Sequence, residues 1–131
     1  MKEIIQKIQN KLDKYPNLKT EYGDNYAIVY PADENGFKVR LDAGDTEYTV
    51  SYSGWHDHFE DPDEALNCFG FGLSDNCRLK VYLHGDSEYK WKVEYLKNRK
   101  WHKDSETGVL FFKFWQKKKI VYLQNKLVKS L

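Results

Sequence analysis

The stretch FKVRLDAGDTEYTVSY, residues 37–52, decides how the chain is read. Phe37, Val39 and Leu41 alternate with Lys38, Arg40 and Asp42, so an extended backbone would carry one apolar side and one charged side. Ala43-Gly44-Asp45 supplies turn chemistry, and Tyr48, Val50 and Tyr52 resume the alternation against Glu47, Thr49, Ser51 and Ser53. Two short strands joined so tightly pair antiparallel. Upstream, Tyr26, Ile28 and Tyr30 alternate with Ala27 and Val29 before Pro31, and Asn35-Gly36 reads as a hairpin-type turn. The three runs are expected to form a meander.

Outside these strands the period changes. Ile4, Ile5, Ile8, Leu12 and Tyr15 fall at helical spacing, with Pro16 as a stop, which predicts an amphipathic first helix. After the third strand, Ser53-Gly54-Trp55-His56-Asp57-His58-Phe59-Glu60 is expected to leave the sheet as a loop. Asp61-Pro62-Asp63-Glu64 then spells a helix start: a capping acid, a proline suited to the first turn, and an acid able to reach back to the cap. The second helix should run through Ala65, Leu66, Cys68, Phe69 and Leu73, with Gly70 and Gly72 weakening its end.

Leu79, Val81 and Leu83 alternate with Arg78, Lys80 and Tyr82, and Gly85-Asp86 turns the chain. Tyr89, Trp91, Val93 and Tyr95 then alternate with Lys90, Lys92 and Glu94. A basic turn at 97–100 leads to Trp101 and His102, and a further strand is expected at 109–115. Ile120 and Val121 favour strand at 119–123, although residues 125–131 taken alone look more helical. The expected fold is α+β. It has a mainly antiparallel sheet of about six to seven strands, an N-terminal helix and a second helix inserted after the third strand, with 1–131 forming a single domain.

A chain of 131 residues buries roughly two-thirds of the surface its unfolded form exposes, so it needs no disulfide or metal to fold. Cys68 and Cys77 are too few for a disulfide scaffold and are expected to be small buried hydrophobes. The opening MKEIIQKIQNKLDKY lacks the unbroken apolar core of a signal peptide. No run approaches the roughly 20 apolar residues of a membrane span. A cytoplasmic protein with no membrane partner is therefore expected.

Charge is segregated although the net is only +1. Residues 33–64 hold ten acids against Lys38 and Arg40, and residues 97–131 hold ten bases against Asp104 and Glu106. Attraction between the two halves is the simpler reading, and a basic surface for an acidic partner is the functional one.

The densest polar constellation is Trp55, His56, Asp57, His58, Glu60 and Asp61, and the expected binding residues are Trp55, His56, Asp57, His58, Glu60, Asp63, Trp101 and His102. A His-x-His pair on extended backbone puts both imidazoles on one side, the way two metal ligands are often supplied. Asp57 or Glu60 beside a neutral imidazole would suit acid/base work. Neither is accompanied by a Cys-x-x-Cys pair, a phosphate loop, a nucleophile elbow or His-Glu-x-x-His. No catalytic residue, metal or cofactor is therefore assigned.

The leading expectation is a non-catalytic protein-binding domain, of accessory or toxin-neutralising type, that meets another protein through the acidic and aromatic segment 55–64. A metal-dependent or acid/base enzyme centred on His56, Asp57 and His58 ranks next. Polyanion or nucleic-acid binding is the third reading, through a basic strand face (Lys38, Arg40, Arg78, Lys80, Lys90, Lys92, with Tyr82 among them) and the C-terminal third. It ranks low because Tyr48, Tyr52, Tyr89, Trp91 and Tyr95 are expected to face the core, whereas a stacking platform needs exposed rings. Trp101 is either an anchor for a partner or a cover for the core edge. The Lys117-Lys118-Lys119 run is read as protection of a sheet edge.

Overall fold

The apolar stripe of the first helix does what its spacing requires. In a computed structural model, which describes residues 1–108, 118–129 and 131, α1 (Glu3–Leu12) buries Ile4, Ile5, Ile8 and Leu12. Full burial of such a side chain is worth about 1.5–3 kcal/mol, so this face holds the helix to the sheet beneath it. That sheet has five antiparallel strands in chain order: β1 (Lys19–Tyr22), β2 (Tyr26–Tyr30), β3 (Val39–Ala43), β4 (Tyr48–Tyr52) and β5 (Trp55–Phe59). The meander of β2, β3 and β4 is present, with Phe37, Val39, Leu41, Val50 and Tyr52 buried on one face as the alternation requires.

Helix α2 (Pro62–Leu73) starts where its signals place it, with the Asp61 carboxylate accepting the Asp63 N–H. A second antiparallel sheet follows. It is built from β6 (Cys77–His84), β7 (Ser87–Lys97), β8 (Lys100–Gly108) and β9 (Lys118–Leu123) in the order β8-β7-β6-β9. The basic turn is a two-residue hairpin with Asn98 and Arg99 both at positive φ, 54° and 64°. One buried cluster spans both sheets and both helices, from Ile5 and Val29 through Phe69 and Leu73 to Leu79 and Val93. No helix among the described residues is long and apolar enough to cross a membrane.

The structure corrects the sequence reading in four places. The strands number nine among the described residues and form two sheets, where one sheet of six to seven was expected. Residues 55–59 do not leave the sheet: Ser53, at φ 54°, and Gly54 make a two-residue turn, and β5 pairs with β4 from Tyr52↔Trp55 to Tyr48↔Phe59. The second helix therefore follows the fifth strand. In β2 the rings of Tyr26 and Tyr30 face outward, their hydroxyls donating to Glu21 at 2.8 and 2.9 Å, while Ala27 and Val29 go into the core. Asn35-Gly36 is part of a longer loop between β2 and β3. Residues 118–123 are strand, as Ile120 and Val121 favour, and the described residues after Leu123 form neither helix nor a named strand, with Lys126 at φ 53°. The strand expected at 109–115 lies outside the described residues.

Two glycines permit close packing. A Cβ on Gly72 of α2 would lie 2.4 Å from the Tyr52 ring, and one on Gly54 would lie 2.2 Å from the Trp91 ring of the second sheet. Helix α2 is thereby seated directly on β4, and the β4–β5 turn on β7. Tyr52 also stacks on Trp55 at 4.5 Å, and the Trp55 indole N–H donates to Ser105 of β8 at 2.9 Å, tying the sheets together.

Candidate binding surface on the four-stranded sheet

Strand alternation distributes the predicted site residues over several surfaces. Trp55 points inward, 3% exposed. His56 and His58 lie on the outer face of β5, opposite Ser51 and Thr49, with their rings 5.6 Å apart. His58 Nδ1 is 3.0 Å from Thr49 Oγ1 and 3.3 Å from Glu47 Oε1. Asp57 falls in the opposite phase and accepts the His58 N–H at 2.8 Å. Glu60 and Asp63 are exposed beside the Asp61 cap. In the second sheet, Trp101 and His102 take opposite faces of β8, and His102 stacks on Tyr95 at 5.3 Å. The eight residues therefore do not line one pocket.

Chemistry at the sulfurs and imidazoles is correspondingly limited. Among the described residues no group of three or more His, Cys, Asp or Glu side chains is gathered in a way that could hold a metal ion. Cys68 lies 3.3 Å from the Tyr52 hydroxyl, and burial pushes its thiol up to about 11 despite the hydrogen bond from Tyr52. Burial raises the Cys77 thiol further. Neither is an activated nucleophile.

The outer face of β6, β7, β8 and β9 has a different character. Pairing of β6 with β7 aligns Arg78 with Glu94, Lys80 with Lys92 and Tyr82 with Lys90. Pairing of β6 with β9 sets Lys80 beside Tyr122 and Tyr82 beside Ile120. Across the sheet the Arg78 guanidinium is held between two rings, 4.5 Å from Trp101 and 4.3 Å from Tyr122, and its Nε donates to Glu94 at 2.7 Å. A planar delocalised cation suits that slot in a way an ammonium does not.

The Tyr82 ring is surrounded by Lys80, Lys90 and Lys92, at 5.2, 5.3 and 5.3 Å. Partial burial works to raise the Tyr82 phenol, but hydrogen bonds from Lys92 and Lys80, with their charges, outweigh it and leave it below its ordinary value. Glu106 sits among Lys90, Lys92 and Lys103 at 3.5 to 3.9 Å. Three of the exposed large hydrophobics also belong to this face: Leu96, Ile120 and Tyr122, at 38%, 48% and 49%.

The basic face proposed from sequence is thus half right. Arg78, Lys80, Lys90, Lys92 and Tyr82 do share a surface, but Lys38 and Arg40 belong to the five-stranded half, where Arg40 pairs with Asp42 at 2.8 Å and covers the Tyr26 ring. Sequence reasoning missed Tyr122, Ile120 and Leu96. Tyr122 and Ile120 are in phase opposite Val121 and Leu123, but that alternation is informative only once β9 is known to pair with β6.

Contact ion pairs respect the division between sheets. Arg40–Asp42 and His58–Glu47 lie within the first half, while Arg78–Glu94 and the Glu106 cluster lie within the second. None of the side-chain ion pairs among the described residues crosses from residues 1–73, with seven bases and fourteen acids, to residues 74–131, with fourteen bases and six acids. Comparison with family models, with curated proteins and with solved structures returns no match to this chain.

Proposed function

We propose that this chain is a binding domain, not an enzyme, and that it takes a polyanionic partner on the outer face of its four-stranded sheet. One observation carries the reading: Arg78, Lys80, Lys90 and Lys92 share that face with the rings of Tyr82, Trp101 and Tyr122. The main argument against this reading was that the strand aromatics turn inward, and it does not apply to these three rings. A small net charge is no obstacle, because residues 74–131 hold fourteen bases against six acids; Glu94 and Glu106 pair with Arg78, Lys90 and Lys92 on this face, and most of the acids that balance the net charge lie in residues 1–73. The free thiols of the half-buried Cys68 and the buried Cys77 suit a cytoplasmic setting.

A second reading keeps the acidic segment 55–64 as a surface for a basic protein partner. It is favoured by the exposure of Asp57 in β5, an edge strand of its sheet among the described residues, of Glu60 just after it and of Asp63 in the first turn of α2. One titration separates the two. Binding to inorganic polyphosphate should fall with a log–log salt slope of about −3 if some four phosphates are neutralised. The pair K80E/K92E should abolish it, while the pair D57K/E60K should leave it intact or improve it. Indifference to K80E/K92E would remove the basic face from consideration. A protein partner lost specifically with D57K/E60K would favour the second reading.

A further inference from the structure

We propose, resting on the polyanion reading, that the partner is a single-stranded nucleic acid whose bases stack on Tyr122 and on the edge of the Trp101–Arg78 column. Charge alone does not explain this face. A polyphosphate or sulfated chain has no use for Leu96, Ile120 and Tyr122, which are 38%, 48% and 49% exposed amid the lysines. A nucleobase does, because it brings an apolar π-face on an anionic backbone.

The geometry supplies both halves of that recognition. Trp101, Arg78 and Tyr122 form a column of alternating ring, guanidinium and ring from β8 across to β9, with spacings of 4.5 and 4.3 Å. Glu94, the cross-strand partner of Arg78 on β7, accepts a hydrogen bond from its Nε. Tyr122, half exposed at the end of the column, offers the next stacking surface. Lys80 lies within 5.7 Å of the same ring, and Lys90 and Lys92 flank Tyr82 one row away, where phosphates following the stacked bases would run.

Two other partners fit less well. A duplex hides its base faces within its own stack, so it would use only the lysines. Protein interfaces are depleted in lysine at their centres, whereas here lysines ring the central Tyr82.

The test uses the full chain and fluorescence anisotropy with three probes: a 12-nucleotide single strand, the corresponding duplex and inorganic polyphosphate of matching charge. The single strand should bind at least about tenfold more tightly than polyphosphate, since one stacked base is worth about 1–3 kcal/mol. Tyr122→Ala should cost the single strand about tenfold and change polyphosphate binding less than twofold. Tyr122→Phe, which keeps the ring, should restore the preference and guards against a folding artefact. Equal affinity for single strand and polyphosphate, both unaffected by Tyr122→Ala, would overturn the nucleic-acid inference and leave the polyanion reading standing. No binding to any probe at low salt would overturn both. An acidic protein bound in a Tyr122-dependent way, with no oligonucleotide binding, would overturn the inference in favour of a protein partner.

Discussion

At the scale of single residues, burial decides chemistry. Cys68 and Cys77 have the residue type of a nucleophile and the surroundings of a core side chain, so their thiols hold their protons well above the usual range. Both should react with a thiol reagent such as dithionitrobenzoate at pH 8 only after denaturant unfolds the chain. Prompt native-state reaction would show that the core around Tyr52 opens. The same shifts set a pH dependence. In the unfolded chain these thiols ionise near their ordinary value, while Cys68 in the folded protein holds its proton to about 11. The folded state then binds more protons across that window, and stability should decline as pH rises through it. In β5 the alternation puts both imidazoles on one strand face, as expected from His-x-His, with His58 Nδ1 beside Thr49 and Glu47.

Elements depend on what closes around them. Helix α2 was legible because its start is written locally in Asp61, Pro62 and Asp63. The segment after β9 was not, because its conformation is set by distant groups. Asn125 is buried, its amide donating to the Gly72 carbonyl at 2.9 Å and its carbonyl accepting the Phe37 N–H at 2.8 Å. Leu127 and Val128 N–H groups then both donate to Leu73 O. This one side chain joins the end of α2 to the loop before β3, which is why Asn35-Gly36 sits in a docking loop rather than a tight hairpin. Asn125→Ala orphans two buried backbone groups and should cost about 2–4 kcal/mol in denaturant melts. Loss below about 0.5 kcal/mol would mean that water replaces it. In β1, Lys19, Thr20 and Glu21 are all exposed, so no apolar alternation marks the strand. β5 was hidden for a related reason: Trp55 is its one fully buried residue, so it reads as a polar loop although it pairs along its whole length.

The whole molecule consists of two sheets of opposite charge character built around one apolar cluster. Trp55 reaching Ser105 and Trp91 lying against Gly54 join the sheets, so they should unfold together. Tryptophan fluorescence and far-ultraviolet circular dichroism should trace coincident urea transitions, and separated midpoints would mean that the four-stranded sheet melts on its own. Much of this was present in the chain as local pattern. The helical stripe of α1, the N-terminal cap of α2, the alternation of β3, β4, β6 and β7, the turn at 97–100 and the segregation of charge all follow from neighbouring residues, because backbone period and turn chemistry are short-range properties. The split into two sheets, the docking of Asn125 and the meeting of Trp101, Arg78 and Tyr122 were decided only in the folded molecule. These depend on which strands pair and in what register, and that is settled by burial shared among residues far apart in sequence.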